Sequence, residues 1–329
     1  MTETASPYPA RRRVGLWLTL GLTAAMVAGI VGLAMATGWE ESLASLRALT
    51  LAQLGVLLAL SASNYALRGL RWHLYVRVLR IPLSLWQTFL HYIAGFAMTV
   101  TPGRLGEVIR LRWIWQEAGT PPERSAPLVV VDRAADLAVI GLLIGASVAF
   151  STIGLAAGLP VAGFCLAMAV IATRATLLSS MLRFGWQVLG RWPRLFVRAR
   201  RAALALRPFS DWPVVLPALA LGGVGWLAEG ISFWLLLDWM GAEVPLWTAI
   251  GIFLIATVTG GATGAPGGIG GAEAAMVALL SLQGVPLSVS LPATAVIRLT
   301  TLWFAIAIGL GALPFALRAA RRGTHAAQS

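Results

Sequence analysis

Long apolar segments constrain the fold of this chain more strongly than any other feature. Runs such as 14–37, 126–150 and 213–237 reach the ~20 predominantly apolar residues that a helix needs to cross the hydrocarbon core of a bilayer. Of the 329 residues, 58% are hydrophobic and 12% are charged. A typical soluble domain carries about 25% charged residues. The sequence therefore predicts an all-α integral membrane protein, with no large soluble domain.

Six apolar segments are predicted to be transmembrane helices. They are Val14–Thr37, Leu51–Leu70, Ala126–Phe150, Leu159–Thr173, Pro213–Leu237 and Leu291–Leu317. Arginines precede the first segment, as they do in a signal peptide. The apolar part of a signal peptide spans only about 7–15 residues, so a retained helix is favoured.

Two further apolar segments are interrupted by glycine and proline. Trp86–Thr101 and Trp247–Thr263 each run into a Gly/Pro-rich break that is followed by a second helical stretch. Non-helical backbone at membrane depth is tolerated only where protein or a watery cavity covers it. We therefore predict two re-entrant helical hairpins in addition to the six transmembrane helices.

The distribution of arginine predicts the orientation of the chain. The net charge is +12, and all 25 basic residues are arginines. With both termini in the cytoplasm, the cytoplasmic side holds most of them, including Arg68 and Arg71 at the end of the second helix and eight in segment 174–207. The opposite side holds Arg47 beside several acidic residues. This is the positive-inside pattern of a multi-pass cell-membrane protein, and it explains the basicity without a nucleic-acid partner.

An internal repeat relates the two hairpins. The first contains the sequence PGRLGE at 102–107, and the second contains PGGIGGAE at 266–273. Around them, three pairs of residues correspond at separations of 161 to 165 residues: Trp86 and Trp247, Arg133 and Arg298, and Asn64 and Glu229. The sequence therefore divides into a first helix at 14–37, repeat 1 at 51–173, a basic interfacial linker at 174–210 and repeat 2 at 213–317.

The predicted topology gives the repeats opposite orientations, because three crossings separate equivalent points. Hairpin 1 then enters from the cytoplasm and hairpin 2 from outside. Inverted repeats with broken helices are typical of transporters, which bind substrate where the repeats meet. The pattern predicts a transporter-like architecture with its site between the hairpins.

The two Gly loops are candidate anion sites. Glycine allows backbone N–H groups to converge at a helix start, where they and the helix dipole favour an anion such as a lipid phosphate. Alternatively, these residues only permit a tight hairpin and close helix packing. The loop residues concerned are Pro102, Gly103, Arg104, Gly106, Pro266, Gly267, Gly268 and Gly270.

Two glutamates and two arginines follow the loops in equivalent positions. Glu107 and Glu273 either complement a helix dipole or bind an arginine or a cationic headgroup. Arg133 and Arg298 are suited to phosphate, because a guanidinium binds it in a bidentate manner. The alternative is structural ion pairing. Asp132 and Asp136 are expected to orient Arg133, and Glu273 or Glu229 would pair with Arg298.

Glu229 is a further candidate, because no basic residue is near it in the sequence. It requires a distant partner or a proton, so a role in proton coupling is one interpretation. Asn64, at the equivalent position of repeat 1, joins the candidate substrate-binding residues. His73 and His91 show no ligand spacing, so we predict neither a metal site nor a cofactor.

These residues also carry a family resemblance. Asn64-Tyr65, Arg68, Arg71-Trp72, the segment 101–107, Asp132-Arg133 and Asp136 resemble the first half of the lysylphosphatidylglycerol synthase transmembrane family. The segment 265–270, Glu273 and Arg298 resemble its second half. The resemblance covers nearly the whole chain after the first helix.

The resemblance implies a flippase-like lipid translocase, with Arg68, Arg71 and Trp72 as orienting residues. The substrate would be an anionic or aminoacylated phospholipid or a polyprenyl phosphate. No segment corresponds to the soluble aminoacyl-transfer domain that some members carry, so we do not expect an enzyme. Stand-alone members occur beside glycosyltransferases, which implies a glycosyltransferase or a lipid-synthesis enzyme as a partner.

Two other functions stay open at this stage. A membrane-embedded lipid diphosphate enzyme, such as a polyprenyl-diphosphate phosphatase, has a similar layout. However, neither Gly loop contains Ser or His, so no nucleophile is evident. A non-transporting partner that anchors a glycosyltransferase would tolerate neutralisation of Arg133 and Arg298.

Overall fold

The computed structural model describes residues 47, 49–99, 105–151, 158–174, 177, 180 and 205–326. These residues form helices and the turns between them, and this part of the chain contains no strand. Three predicted features lie outside the described residues: the first helix at 14–37, the loop residues Pro102, Gly103 and Arg104, and most of the 174–210 linker.

Ten helices form the body of the described structure, and we number them in chain order. They are α1 (Leu51–Val78), α2 (Leu85–Ala94), α3 (Leu105–Ala118), α4 (Pro127–Phe150), α5 (Gly158–Thr173), α6 (Trp212–Trp239), α7 (Leu246–Ala262), α8 (Gly271–Leu282), α9 (Leu287–Arg298) and α10 (Phe304–Ala326). A π-helical turn, Leu299–Trp303, joins α9 to α10. Short 3-10 segments lie at Gly95–Met98, Arg207–Ser210 and Pro266–Gly268, and a one-turn helix at Pro122–Ser125.

Polar side chains set the starts of α1 and α2. The Thr50 hydroxyl accepts from the Gln53 backbone N–H at 3.2 Å, and the Gln53 side chain accepts from the Thr50 N–H at 2.8 Å. Ser84 and Gln87 form the same reciprocal cap on α2. Each cap satisfies two N–H groups that the first turn of a helix would otherwise leave unpaired.

Each predicted break lies between two described helices, although residues 100–104 of the first break lie outside the described part of the chain. In repeat 1, α2 ends in the Gly95–Met98 segment before α3 begins. In repeat 2, the break contains Gly267, Gly268 and Gly270, whose φ angles are 65°, 68° and 87°. Side chains other than glycine are disfavoured at such angles, so these glycines are required by the turn. The two arms of each hairpin contact each other, while the re-entrant position of the hairpins in a membrane stays a prediction.

A pair of glycines brings the two arms of each hairpin together. A Cβ on Gly106 would overlap the carbonyl oxygen of Gly95, and a Cβ on Gly271 would lie 3.3 Å from the Cα of Gly260. Gly95 and Gly260 are 165 residues apart, as are Gly106 and Gly271. The repeat therefore conserves the contact as well as the loop sequence, and backbone meets backbone at both positions.

Substitution of Gly106 by alanine is expected to destabilise the protein by about 1–3 kcal/mol, because the arms of hairpin 1 must separate to admit the methyl group. Thermal unfolding in detergent micelles measures the effect. Gly145→Ala in α4 is the matched control, because nothing lies within 4 Å of its added Cβ and alanine favours a helix. Equal unfolding temperatures for the two variants would contradict the close contact.

The two repeats pack crosswise. The first helices of the repeats, α1 and α6, contact each other, while α2 packs against α10 and α7 packs against α4. One apolar core surrounds hairpin 2 and includes Ile144, Phe233, Ile250, Phe253 and Ile297. A second surrounds hairpin 1 and includes Trp72, Tyr92, Phe96, Ile114 and Val131. Each hairpin is therefore held by helices from both repeats.

Two helical segments of the described chain are long and apolar enough to cross a membrane: Trp212–Trp239 and Leu287–Ala320. They contain the spans predicted at 213–237 and 291–317. The spans predicted at 51–70, 126–150 and 159–173 coincide with α1, α4 and α5, and their crossing stays a prediction. Helix α1 extends to Val78, eight residues beyond the predicted end, so that Arg71 lies within it.

Candidate functional site

A buried ion cluster joins α1 to α4. Nη2 of Arg71 lies 2.6 Å from Oδ1 of Asp132 and 2.7 Å from Oδ1 of Asp136, and Nη2 of Arg68 lies 2.7 Å from Oδ2 of Asp136. The two arginines are about one turn apart on α1, and the two aspartates are one turn apart on α4. This spacing places both arginines opposite both carboxylates.

The burial of this cluster changes the interpretation of two arginines. The side chain of Arg71 is fully buried, and that of Arg68 is 10% exposed. The sequence analysis assigned both to the cytoplasmic end of their helix. In the structure both are compensated by buried carboxylates, so the predicted positive-inside pattern depends on the other arginines.

Helix α6 completes the cluster through Trp226. Its indole N–H donates to Oδ1 of Asp136 at 3.1 Å, and the guanidinium of Arg68 lies 5.1 Å from its ring centroid. Asp136 therefore accepts from three side chains on two helices. This satisfies a carboxylate that would be costly to bury alone.

Arg133 lies at the open edge of the same cluster. Its Nη2 is 2.9 Å from Oδ2 of Asp132 and 3.2 Å from Oδ2 of Asp136, and its Nε is 3.4 Å from Oε1 of Glu107 on α3. The aspartates contact Arg133, as expected, but they make shorter contacts to Arg71 and Arg68. The two carboxylates therefore compensate Arg68 and Arg71 as well as Arg133, and an orienting effect on Arg133 stays a prediction.

A second ion pair, between Arg298 and Glu273, contacts the backbone of the loop of hairpin 2. Nε of Arg298 donates to Oε1 of Glu273 at 2.5 Å, and its Nη2 donates to the carbonyl oxygen of Gly267 at 2.8 Å. The other carboxylate oxygen of Glu273 accepts from the N–H of Gly270 at 2.7 Å. Glu273 thus occupies one of the loop N–H groups that the sequence analysis offered to an anion.

The two ion pairs are equivalent in the repeat but differ in exposure. The partners in repeat 1, Arg133 and Glu107, have side chains 33% and 20% exposed. Those in repeat 2, Arg298 and Glu273, are 12% and 9% exposed and closer together. The described structure therefore contains one open and one closed version of the same Glu–Arg arrangement.

Glu229 and Asn64 lie where α1 meets α6. Both side chains are buried and next to each other. Apart from the neighbouring Glu229 carboxyl, the amide of Asn64 has no hydrogen-bond partner among the described residues. Gly225 leaves space for this amide, because a Cβ there would overlap it. The centre of the molecule therefore holds polar groups with unused hydrogen-bonding capacity.

Tyr65, which was not predicted to be a site residue, connects α1 to the turn that follows Arg298. Its hydroxyl donates to the carbonyl oxygen of Thr301 at 2.5 Å, within the π-helical turn that follows Arg298. It lies on α1 directly after Asn64 and one turn before Arg68. A π turn frees a helical carbonyl for such a bond.

Arg110 is a second residue that the sequence analysis missed. It is buried in hairpin 1, with its guanidinium 4.2 Å from the ring centroid of Tyr92, 5.4 Å from that of Trp72 and 5.7 Å from that of Phe96. Trp72, predicted to orient a site residue, is thus one wall of an aromatic cage. Arg110 lies three residues after Glu107 on α3, so both side chains lie on the same face of that helix. This spacing could have indicated from the sequence that Arg110 is close to the candidate site.

His91 on α2 and Glu117 on α3 form a contact between the two arms of hairpin 1, at the end of the hairpin away from the break. Nε2 of His91 lies 2.9 Å from Oε1 of Glu117, and the Gln87 side chain donates to its Oε2 at 3.0 Å. In the part of the chain that the structure describes, no three His, Cys, Asp or Glu side chains group as metal ligands do.

Comparison with known proteins identifies similar membrane proteins. The family model described as "Lysylphosphatidylglycerol synthase TM region" matches residues 16–309, which include both ion pairs. A UPF0104 membrane protein of Methanothermobacter thermautotrophicus is 25% identical over 278 residues, covering 76% of this chain and 81% of that protein. No solved structure matches the chain.

Proposed function

The chain belongs to the lysylphosphatidylglycerol synthase transmembrane-region family of membrane proteins, and from this premise we propose that it is a lipid translocase. It moves the headgroup of an anionic or aminoacylated phospholipid, or of a polyprenyl phosphate, between the leaflets of the cell membrane. The observation that carries the proposal is the pair of repeat-related Glu–Arg contacts, one at each hairpin.

Arg133 is the proposed phosphate ligand in the open arrangement. One third of its side chain is exposed, and its Nε is 3.4 Å from Glu107, beyond a short hydrogen bond. Phosphate and carboxylate present similar acceptor geometry to a guanidinium. An entering lipid phosphate therefore competes with Glu107 for the same N–H groups, while Asp132 keeps Arg133 in position from the other side.

Arg298 and Glu273 are the closed counterpart. In inverted-repeat transporters, access alternates when one repeat or bundle moves against the other around a fixed site. We propose that the repeats exchange conformations, so that Arg298 opens towards one leaflet when Arg133 closes towards the other. The observed difference in exposure between the two pairs supports this exchange.

The glutamates are the proposed partners of a cationic headgroup. When phosphate displaces Glu107 from Arg133, the freed carboxylate can accept from an amine such as that of an aminoacyl ester. Glu229 is buried beside Asn64, where α1 meets α6, and it is near enough to feel the charges of both Arg68 and Arg298. We propose that Glu229 binds the amine of the headgroup, or a coupled proton, while the headgroup crosses between the leaflets.

A leaflet-resolved assay in proteoliposomes tests the proposal. The substrates are headgroup-labelled phosphatidylglycerol, its lysyl ester and a polyprenyl phosphate. We expect the parent chain to move one of these lipids. Arg133→Ala and Arg298→Ala are each expected to slow movement roughly tenfold or more, as for loss of a hydrogen bond to a charged group.

Arg112→Ala is the matched control, because Arg112 lies on α3 beyond Glu107 and is exposed. It is expected to retain the parent rate. Movement of no lipid by the parent chain contradicts the proposal. Release of phosphate from labelled polyprenyl diphosphate would instead indicate an enzyme.

A further inference from the structure

A cleft separate from both ion pairs lies between α4, α5 and α6. It has a volume of about 260 Å³ and is bordered at one end by the Arg207–Ser210 turn. Its walls are mainly apolar, with Val131, Ala134, Ala138, Ala169, Val215 and Leu219 among the lining residues. The neighbouring side chains of Arg174 and Trp212 lie at the mouth.

Small side chains create the cleft. Ala134 and Ala138 are one turn apart on α4, and Ala169 faces them from α5. Larger side chains at these positions would close the gap between the two helices. An apolar cavity offers water few hydrogen bonds, so water is a poor occupant. Next to a bilayer, the available apolar occupant is a lipid chain.

The mouth of the cleft is suited to the polar end of an anionic lipid. Arg174 is exposed at the end of α5, and it begins the segment 174–207 with its eight arginines. Trp212, 69% exposed at the start of α6, is of the residue type that favours the headgroup level of a membrane. The polar end and the apolar interior of the cleft therefore match the two parts of a phospholipid.

We propose that this cleft binds one acyl chain of an anionic membrane phospholipid, whose phosphate is held by Arg174. The site holds a resident lipid, and it does not require that this lipid be transported. Because Val131, Ala134 and Ala135 line the cleft, the bound chain contacts the face of α4 next to Asp132 and Arg133. Occupancy therefore supports the helix that carries the accessible ion pair.

Photolabelling of the full chain in nanodiscs tests the site. The probe is phosphatidylglycerol with a diazirine at the end of one acyl chain, and labelled peptides are located by mass spectrometry. We expect labelling at Ala134, Ala138 and Ala169 of the parent chain. Ala138→Phe, which fills the cleft, is expected to lose this labelling. Arg174→Gln is expected to lose the preference for the phosphatidylglycerol probe over the equivalent phosphatidylcholine probe.

Leu216→Phe is the control, because Leu216 is 58% exposed on α6 and does not line the cleft. It should leave labelling unchanged. Val170→Trp fills the cleft from its exposed rim and serves if Ala138→Phe does not fold. Undiminished labelling in a folded, cleft-filling variant overturns the proposal, since the probe would then report only bulk lipid.

The same preparations separate this site from the proposed translocation. A parent chain that is labelled in the cleft but moves no lipid would sustain the site and contradict the translocase. A parent chain that moves lipid but is not labelled in the cleft would support the translocase and contradict the lipid site in the cleft. Loss of both activity and labelling in Ala138→Phe, with parent-like unfolding, would place the resident lipid in the transport cycle.

Discussion

Replacement of Arg71 by alanine is expected to lower the free energy of unfolding by about 3–5 kcal/mol. Arg71 is fully buried and contacts Asp132 and Asp136 at 2.6 and 2.7 Å. Its removal leaves Asp132 without its shortest contact and brings two buried carboxylates into repulsion. Reversible unfolding in mixed micelles with increasing denaturing detergent measures the change.

Two comparison variants show whether the loss of a buried charge causes the destabilisation by Arg71→Ala. Arg112→Ala removes an exposed arginine and is expected to change stability by no more than about 0.5 kcal/mol. Arg71→Met combined with Asp132→Asn removes a charge from each side and is expected to recover part of the loss. If Arg71→Ala unfolded like Arg112→Ala, the buried cluster would not be stabilising the α1–α4 contact.

Glu273→Gln and Glu107→Gln are expected to have unequal effects, although the two glutamates occupy equivalent positions. Glu273→Gln should destabilise the protein by about 3 kcal/mol, because it leaves Arg298 largely buried without a carboxylate. Glu107→Gln should cost less than about 1 kcal/mol, because its partner is more exposed and has two aspartates nearby. Unfolding in mixed micelles again measures both.

The repeat supplies the control for this comparison, because each variant is the counterpart of the other. Glu273→Gln combined with Arg298→Gln is expected to recover stability while lipid movement stays impaired. Equal destabilisation by the two single variants would contradict the distinction between an open and a closed pair. It would also remove the structural support for alternating access.

Local sequence signals predicted the helices and their breaks. Apolar runs of sufficient length predicted α1, α4, α5 and α6. Clusters of glycine and proline predicted the interruptions after α2 and α7. These features depend on neighbouring residues, which is why they can be read from sequence. The repeat went further, because spacings of 165 and 166 residues predicted that Arg298 and Glu273 would occupy the positions of Arg133 and Glu107 in repeat 1.

Long-range contacts were beyond this reasoning. Asp132 and Asp136 flank Arg133 in the sequence and were therefore assigned to it, whereas their shortest contacts are to Arg71 and Arg68, more than 60 residues away. That partnership depends on the angle and register at which α1 meets α4. Neither is encoded in the residues on either side of the aspartates.

Close helix packing was one of the two roles predicted for the loop glycines, Gly106 among them, but Gly95 and Gly260 were not identified as residues that take part in it. Gly95 and Gly260 are separated by 165 residues, as Arg133 and Arg298 are, and each lies against the other arm of its hairpin. The cleft beside α5 was not accessible, because alanines leave a cavity only where the opposing helix fails to fill it. The packing of α4 against α5 and α6 decides that.

The crosswise packing of the repeats bears on how the chain is made. The first hairpin rests on α10, and Gly309 brings the two so close that an added Cβ would lie 3.0 Å from the Ile93 carbonyl oxygen. Helix α10 follows every other described helix in the chain. During synthesis, α10 therefore leaves the ribosome some 200 residues after hairpin 1. At the usual rate of translation this delay is on the order of ten seconds or more. In that interval hairpin 1 lacks the surface of α10 against which it packs in the folded protein.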